Sequence, residues 1–320
     1  MRTFATEKLT VHGDASTTAQ DHGSAMRRLG AEAERAFWLS TSAVWLNRYA
    51  PEYPDLQAAF DYAVANQNPD VGAVCGEALL LIDLHHGISA PSRRRIDAAL
   101  SLIPLAGPEA QARLWNCTTQ WLNAIPGRLS RLDAVNSRVV AWQRVGDAFQ
   151  IHRALGLLAG KEARSGTFDA TATALAAMRA IEDPRWSLRQ RWESAWCFGE
   201  VCSFRGDATG FADAYRQALA IAEEAGDDDL ALSTRIGLAE AALMSGDIDT
   251  VLTLTRPLIE QFRVGADASR LAAVLHRFCA ASVLAGDVAS GNHPPAKPGA
   301  FVMGAARSGW EGSLTRPLTL

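Results

Sequence analysis

Six glycines recur at an almost constant interval along this 320-residue chain, and this spacing restricts the possible folds more than any other feature. The successive intervals are 40, 39, 40, 40 and 40 residues. A fixed period of this length indicates a stacked helical array, because each short unit must pack on its neighbours to bury its apolar face. The six residues are Gly87, Gly127, Gly166, Gly206, Gly246 and Gly286.

The unit around Gly206 shows what one repeat contains. Apolar residues recur at spacings of three and four on both sides of it, which predicts two amphipathic helices joined as a hairpin. A glycine can adopt the left-handed backbone that ends the first helix, and Asp207 can cap the second. The two predicted stripes are Leu188, Trp192, Ala195, Trp196, Gly199 and Cys202, then Phe211, Ala214, Tyr215, Ala218, Leu219 and Ala222.

The period predicts an all-α fold, a solenoid of helical hairpins, in three parts. Residues 1–50 form an N-terminal helical linker region, residues 51–290 an array of units of about 40 residues, and residues 291–320 an irregular or disordered tail. Pro294, Pro295 and Pro298 follow the turn predicted at Gly286, and proline disfavours a second helix there. A shifted reading frame or truncated gene explains this break better than a natural flexible tail.

The predicted last helix, before Gly286, would then lack the helix that should pack on it. An array end without a cap leaves apolar surface exposed and prone to association. The side chains expected to lose their partner are Leu271, Leu275, Phe278 and Val283.

Composition excludes several classes of protein. A net charge of −4 and a pI near 6.0 provide no basic face, so we expect no direct contact with nucleic acid. We expect a cytoplasmic protein without membrane contact, because the chain shows no secretory signal and no long apolar run. The odd number of scattered cysteines predicts reduced core residues: Cys75, Cys117, Cys197, Cys202 and Cys279.

No motif carries recognisable chemistry, so we expect no catalytic residue, no metal site and no cofactor. The segment Gly156 to Glu162 imitates a phosphate-binding loop, but it is one residue short and ends in glutamate. The run 93–95 of three arginines is typical of a solvated helix face, with a small anion-binding patch as the alternative. The pair at 85–86 of two histidines is typical of a helix end capping carbonyl groups.

A second pattern concerns two positions around each turn glycine. One lies seven residues before the glycine, where a small residue is expected, and the other lies twelve residues after it. The pairs are Gly199 and Ala218, Ala239 and Leu258, Ala159 and Met178, and Leu80 and Ala99. This pattern resembles the tetratricopeptide family, although that family has a period of 34, and HEAT-like repeats have a period compatible with 40. The resemblance implies a right-handed superhelix with a concave face.

The same resemblance implies which residues line that concave face. Positions two, six and ten to thirteen before each turn glycine would project into one groove. A groove with aromatic groups and both signs of charge suits a peptide or a small ligand. The implied residues are Trp121, Arg153, Arg164, Trp196, Glu200, Glu240 and His276.

The N-terminal region has the sharpest motifs. They are Arg2, Phe4, Ala5, Glu7 and Leu9, then Gly13-Asp14, His22, a helix with Trp38, and the hexapeptide Asp55-Leu56-Gln57-Ala58-Ala59-Phe60. They resemble the segment that joins the ATPase module to the helical repeats in bacterial transcriptional regulators of the STAND type. The resemblance extends over about residues 1–290, without the ATPase and DNA-binding domains.

This resemblance implies a function and leaves two alternatives open. It implies a non-enzymatic scaffold that is a fragment of a longer protein, comparable to the sensor arm of such a regulator. Its partner would be a protein, a peptide or a small-molecule inducer. The alternatives are a standalone cytoplasmic enzyme without a recognisable motif, and a fragment with no stable function.

Overall fold

The computed structural model describes residues 15–86, 90–123, 131–264 and 268–290. Every regular element in these ranges is helical, which confirms the predicted all-α class. The chain divides into two compact units, the first comprising residues 1–40 and 44–147 and the second residues 41–43 and 148–320.

The first unit contains seven α-helices within its described residues. Helix α4 packs against α1, α3 and α6, while α5 and α7 pack on α6. Two short 3-10 turns, Ala50–Glu52 and Ile103–Leu105, connect neighbouring helices. The helices are α1 (Ala15–Phe37), α2 (Ser42–Tyr49, which begins in residues 41–43), α3 (Tyr53–Ala65), α4 (Pro69–His86), α5 (Ala90–Leu102), α6 (Pro108–Asn123) and α7 (Arg131–Val145).

A buried ion pair joins two helices of the first unit. Arg95 and Asp83 are 2% and 3% exposed, and the guanidinium donates to the carboxylate at 2.6 Å. Arg95 also donates to Gln57 Oε1 at 2.7 Å and to the Tyr53 hydroxyl at 2.5 Å. The expectation that the arginine run is a solvated face is therefore wrong for Arg95, although Arg94 is exposed.

A second buried polar network crosses the same unit. The Trp142 indole donates to Asn116 Oδ1 at 2.9 Å, and the Asn116 amide donates to Glu77 Oε1 at 2.9 Å. Arg113 pairs with Glu77 and with Glu34, which lie on α4 and α1. Burying such groups is favourable only when their hydrogen bonds are made, so the network selects one arrangement of four helices.

The second unit repeats one hairpin three times and ends in a single long helix. Helices α8 and α9, α10 and α11, and α12 and α13 pack as pairs, and α8–α10 and α12–α14 also pack side by side. The helices are α8 (Ala148–Ser165), α9 (Phe168–Ala180), α10 (Leu188–Phe204), α11 (Ala208–Glu224), α12 (Asp228–Ser245), α13 (Ile248–Val264) and α14 (Ala268–Ser290).

Glycine hinges separate these helices, as the spacing predicts. Gly166, Gly206 and Gly246 have φ of +79°, +76° and +78° and lie in the turns after α8, α10 and α12. Gly146 and Gly226 adopt the same left-handed conformation after α7 and α11. Helix boundaries therefore recur about every 20 residues, half the interval visible in the sequence.

An aspartate after three of the hinges caps the next helix, which confirms the prediction made for Asp207, whereas Thr167 after Gly166 makes no such side-chain bond. Asp207, Asp227 and Asp247 each accept a hydrogen bond from the backbone amide three residues later. Asp227 is 3% exposed and also accepts from the backbone amide of Ser42 at 2.8 Å. A carboxylate at this place satisfies amides that the helix leaves unpaired.

The hinge predicted at Gly286 is wrong. Gly286 lies inside α14, which continues to Ser290. A glycine inside a helix costs only about 1 kcal/mol relative to alanine, so it does not end a helix unless the following chain folds back. Gly87, Gly127 and the predicted 291–320 tail lie outside the described residues.

A tyrosine ring explains the small residue seven positions before the hinge. The Tyr215 side chain on α11 is fully buried between Gly199 of α10 and Gly237 of α12. A Cβ atom built on Gly199 would lie 2.5 Å from the ring, and one on Gly237 would lie closer still. The two glycines therefore allow α10, α11 and α12 to pack closely, because the rigid Tyr215 ring leaves no room for a methyl group at either position.

Three of the five cysteines lie in the core as predicted, Cys197 is only half-buried, and Cys279 is exposed. All five are free thiols, and Cys75, Cys117 and Cys202 are buried in the core. Burial raises the pKa of Cys75 to about 12 and that of Cys202 to about 11. Cys279 on α14 is exposed, so its assignment to the core is wrong. It lies on the helix that ends the described array.

Candidate functional site

The second unit carries six of the seven residues predicted to line a groove. They lie on α8, α10 and α12, which open the three hairpins, and on the final helix α14. Trp121 lies on α6 of the first unit, and its side chain is outside the described residues. The six are Arg153, Arg164, Trp196, Glu200, Glu240 and His276.

Glu200 is the centre of a compact group. The Tyr215 hydroxyl donates to Glu200 Oε1 at 2.6 Å, and the Trp196 ring lies 4.7 Å from the Tyr215 ring. Burial raises the pKa of Glu200, while the hydrogen bond from Tyr215 and the charge of Arg277 oppose that shift. The group places a carboxylate beside aromatic rings, a combination that recognition sites for ligands also use.

Two further helices supply charges to this group. Arg277 Nε on α14 lies 2.8 Å from Glu240 Oε2 on α12, and both side chains are largely buried. Glu240, Arg277 and Arg164 all act electrostatically on Glu200. We call this set the Glu200 cluster, and its members are Arg164, Trp196, Glu200, Tyr215, Glu240 and Arg277.

Arg277 and Tyr215 belong to the Glu200 cluster but are missing from the sequence-based set. Arg277 lies 37 residues after Glu240 along the chain, close to one repeat, so opposite charges near one period apart are the signal that identifies it. No comparable signal identifies Tyr215, because its hydroxyl reaches Glu200 from the second helix of the hairpin.

Two predicted residues are more open to solvent. Arg164 is exposed, and its guanidinium lies 4.5 Å from the centre of the Phe204 ring, in the range of a cation–π contact. His276 is also exposed and precedes Arg277 on α14. The cluster therefore joins a buried, charged floor to an accessible rim.

Arg153 belongs to a different group nearer the other ends of the helices. Arg153 Nε lies 3.1 Å from Glu193 Oε1 on α10, and the side chain also donates to Gln150. Arg189 on α10 lies 3.5 Å from Asp227 in the same way. Since the pair partners lie 38 to 40 residues apart, these ion pairs tie successive hairpins together.

A serine, a histidine and a glutamate also meet in this unit. Ser194 Oγ lies 3.2 Å from His152 Nε2 and donates to Glu182 Oε1 at 2.6 Å. Burial lowers the pKa of His152, and Glu182 opposes that shift.

This arrangement does not match a hydrolytic triad. A triad needs the carboxylate on the second ring nitrogen, where it orients the base. In the described structure His152 Nδ1 is buried without a hydrogen-bond partner, while Glu182 approaches the nitrogen already near Ser194. The group therefore anchors the 181–187 loop rather than activating a nucleophile.

The remaining candidate residues have structural surroundings. His85 lies against the Phe37 ring, with 6.1 Å between ring centres, and Trp142 and Trp192 are buried. Within the described ranges, no group of three His, Cys, Asp or Glu side chains could hold a metal ion. None of the helices described has the length and apolarity needed to cross a membrane.

Comparison with known proteins does not assign the chain to a family. No family model matches it, and no curated protein matches it in sequence. The candidate site therefore has to be judged on its own geometry.

Proposed function

We propose that the second unit is a non-enzymatic binding scaffold that holds a peptide or a small ligand on the Glu200 cluster. The observation that carries this proposal is the convergence of a half-buried tryptophan and both signs of charge from α8, α10, α12 and α14. Trp196 supplies a half-buried aromatic ring, Glu200 an acceptor and Arg164 an exposed cation. Aromatic and arginine side chains contribute most of the binding energy in many interfaces.

The repeat geometry supports a tetratricopeptide-like arrangement of this unit. Hairpins with glycine hinges, small contact residues and neighbouring first helices are what that resemblance implies. We propose that these hairpins wind in a right-handed superhelix, with the first helices on the inner face. In that arrangement the Glu200 cluster would line the concave surface.

The regulatory part of the proposal rests on sequence resemblance. The hexapeptide 55–60 forms the first half of α3, and its Leu56, Ala59 and Phe60 are buried. We propose a role like that of the sensor arm of a STAND-type transcriptional regulator, acting in the cytoplasm. A ligand bound to such an arm shifts an equilibrium only through its different affinity for two states.

Selection from a displayed library of random 15-residue peptides, with the full chain immobilised, tests the proposal. We expect enriched peptides whose affinity falls at least about tenfold in Trp196→Ala and in Glu200→Gln, since losing an anchor costs 1.4 kcal/mol or more. The matched control is Glu223→Gln, because Glu223 is an exposed carboxylate of the same unit that pairs with Arg235.

Three results would contradict the proposal. They are the absence of enriched peptides, equal binding by all variants, and loss of binding in the control alone. Circular dichroism has to show unchanged helix content in each variant, so that lost affinity is not lost folding.

A further inference from the structure

The 181–187 loop is the longest link between helices that we describe in the second unit. It has seven residues and joins the first hairpin to α10, whereas the links at 205–207 and 225–227 have three residues each. Trp186 of this loop lies against two rings of α8 in edge-to-face contacts. Its ring centre is 5.2 Å from that of Phe149 and 4.9 Å from that of His152. The loop therefore folds back over α8 as a strap.

A chain of polar side chains fastens the strap to α8 and α10. Ser194 of α10 has one hydroxyl proton, which it donates to Glu182 Oε1 at 2.6 Å. The Ser194 oxygen lies 3.2 Å from His152 Nε2 and can therefore only accept a hydrogen bond there. It follows that Nε2 carries a proton, so a neutral His152 has none on Nδ1.

The second ring nitrogen decides which charge His152 can carry in the closed strap. Nδ1 is buried without a hydrogen-bond partner in the described structure, and the whole residue is 0% exposed. A neutral imidazole leaves only an unpaired acceptor at this place. A protonated imidazole would bury a charged donor without an acceptor, which costs considerably more. The closed strap therefore favours neutral His152.

The charged groups around His152 do not reverse this preference. Burial lowers the pKa of His152, and Arg153 acts in the same direction, whereas Glu182 and Glu193 oppose the shift. Glu182 Oε1 lies 3.5 Å from Nε2, and Glu193 of α10 is already paired with Arg153 of α8. Further charged side chains on the loop and on the adjoining turns of α9 and α10 are exposed or already paired: Arg179, Asp183, Arg185, Arg189 and Arg191.

We propose that the 181–187 loop is a pH-sensitive strap, closed over α8 while His152 is neutral and released when His152 takes up a proton at Nδ1. Release admits water to Nδ1 and moves Trp186 away from the rings of His152 and Phe149. Because the released loop binds the proton more tightly, closure is fully present above a pH of about 6.5 and is lost as the pH falls below it. Mild acid thereby loosens the link between the first two hairpins.

Fluorine NMR on the full chain labelled with 5-fluorotryptophan, between about pH 8 and pH 5, tests the proposal. The Trp186 resonance is the one that Trp186→Phe removes. We expect this resonance to move with a midpoint below a pH of about 6.5, and we expect His152→Gln to abolish the movement. A constant Trp186 resonance, or a transition that His152→Gln leaves unchanged, would overturn the proposal.

Glu182→Gln provides a test that leaves the buried ring in place. It weakens the bond from Ser194 and removes a charge that favours protonated His152 in the closed strap, so release should begin at a higher pH. The matched control is Asp183→Asn, at a carboxylate of the same loop that pairs with Arg185, and it should leave the midpoint unchanged.

Two further results would contradict the proposal. One is a midpoint that does not rise in Glu182→Gln or that rises equally in Asp183→Asn. The other is a loss of helix content, measured by circular dichroism over the same pH range, because Trp186 would then follow global unfolding rather than a local release.

Discussion

The two units of this protein illustrate two ways of fixing the positions of helices, although the second unit also has buried ion pairs between hairpins, such as Arg189 with Asp227. In the first, buried charges join helices, as Arg95 does with Asp83 and Arg113 with Glu77. In the second, glycines allow close approach, as Gly199 and Gly237 do on either side of the Tyr215 ring. Charged networks specify an arrangement through directional hydrogen bonds, whereas glycine contacts specify it through shape. The two strategies should fail differently when one residue changes.

The largest effect should come from breaking a charged network in the first unit. Arg95→Met leaves the buried carboxylate of Asp83 without its cation, and we expect the free energy of unfolding to fall by about 3–5 kcal/mol. Urea unfolding followed by circular dichroism measures it. The matched control is Arg94→Met, at the exposed neighbouring position, which should change stability by less than about 0.5 kcal/mol.

Adding Asp83→Leu to Arg95→Met sharpens this test. If an uncompensated charge causes the loss, the double variant should recover part of it, because no carboxylate remains buried. A double variant less stable than the single one would show that packing, rather than charge, dominates at this place.

The next effect should come from filling the space beside the Tyr215 ring in the second unit. Gly237→Ala places a methyl group inside the contact distance of the ring, and we expect a loss of about 2–3 kcal/mol in unfolding free energy. The control Gly160→Ala, where the new atom would meet Phe204 at 3.5 Å, should be neutral or stabilising by up to about 1 kcal/mol.

A glycine of the first unit extends the comparison. Gly72→Ala would place its methyl group 2.5 Å from the end of the Leu102 side chain, which can rotate away as the Tyr215 ring cannot. We therefore expect a smaller loss than for Gly237→Ala. Equal losses would mean that shape restricts both units to the same degree.

The smallest effect should come from the helix caps of the second unit. Asp207→Ala removes the acceptor for the Gly210 amide at the start of α11, and we expect a loss of about 1 kcal/mol in a thermal or urea unfolding experiment. Asp213→Ala on the same helix removes only an exposed pair with Arg216 and should cost clearly less. If Asp207→Ala does not change the free energy of unfolding, the hinge glycines would be the only local determinants of the turns.

The sequence predicts the second unit better than the first, and particular residues show why. Gly166, Gly206 and Gly246 mark hinges because a left-handed backbone strongly favours glycine. Gly286 has the same place in the period but lies inside α14, since a glycine permits a turn without requiring one. Arg95 resembles a surface arginine in sequence, and its burial depends on Asp83, Gln57 and Tyr53 from other helices.

The residues of the candidate site also fall into those that the sequence predicted and those that only the structure revealed. The period placed Trp196, Glu200 and Glu240 on the opening helices of successive hairpins, and the structure brings Glu200 and Glu240 into one electrostatic group. The period also assigned Arg153 to the same set, but the structure places it in another group, where it pairs with Glu193. The period did not identify Tyr215 and Arg277, whose contribution depends on side-chain reach across helices.

The amino-acid sequence alone determined that this chain is helical, that Gly166, Gly206 and Gly246 are hinges of the second unit, and that Asp207 caps the helix after its hinge. These features depend on backbone conformation and on hydrogen bonds between residues a few positions apart, so local identity is sufficient. Only the tertiary structure decided that Arg95 is buried, that Tyr215 reaches Glu200 and that Arg277 pairs with Glu240. Those outcomes depend on contacts between residues distant in sequence, whose geometry arises only when the helices pack.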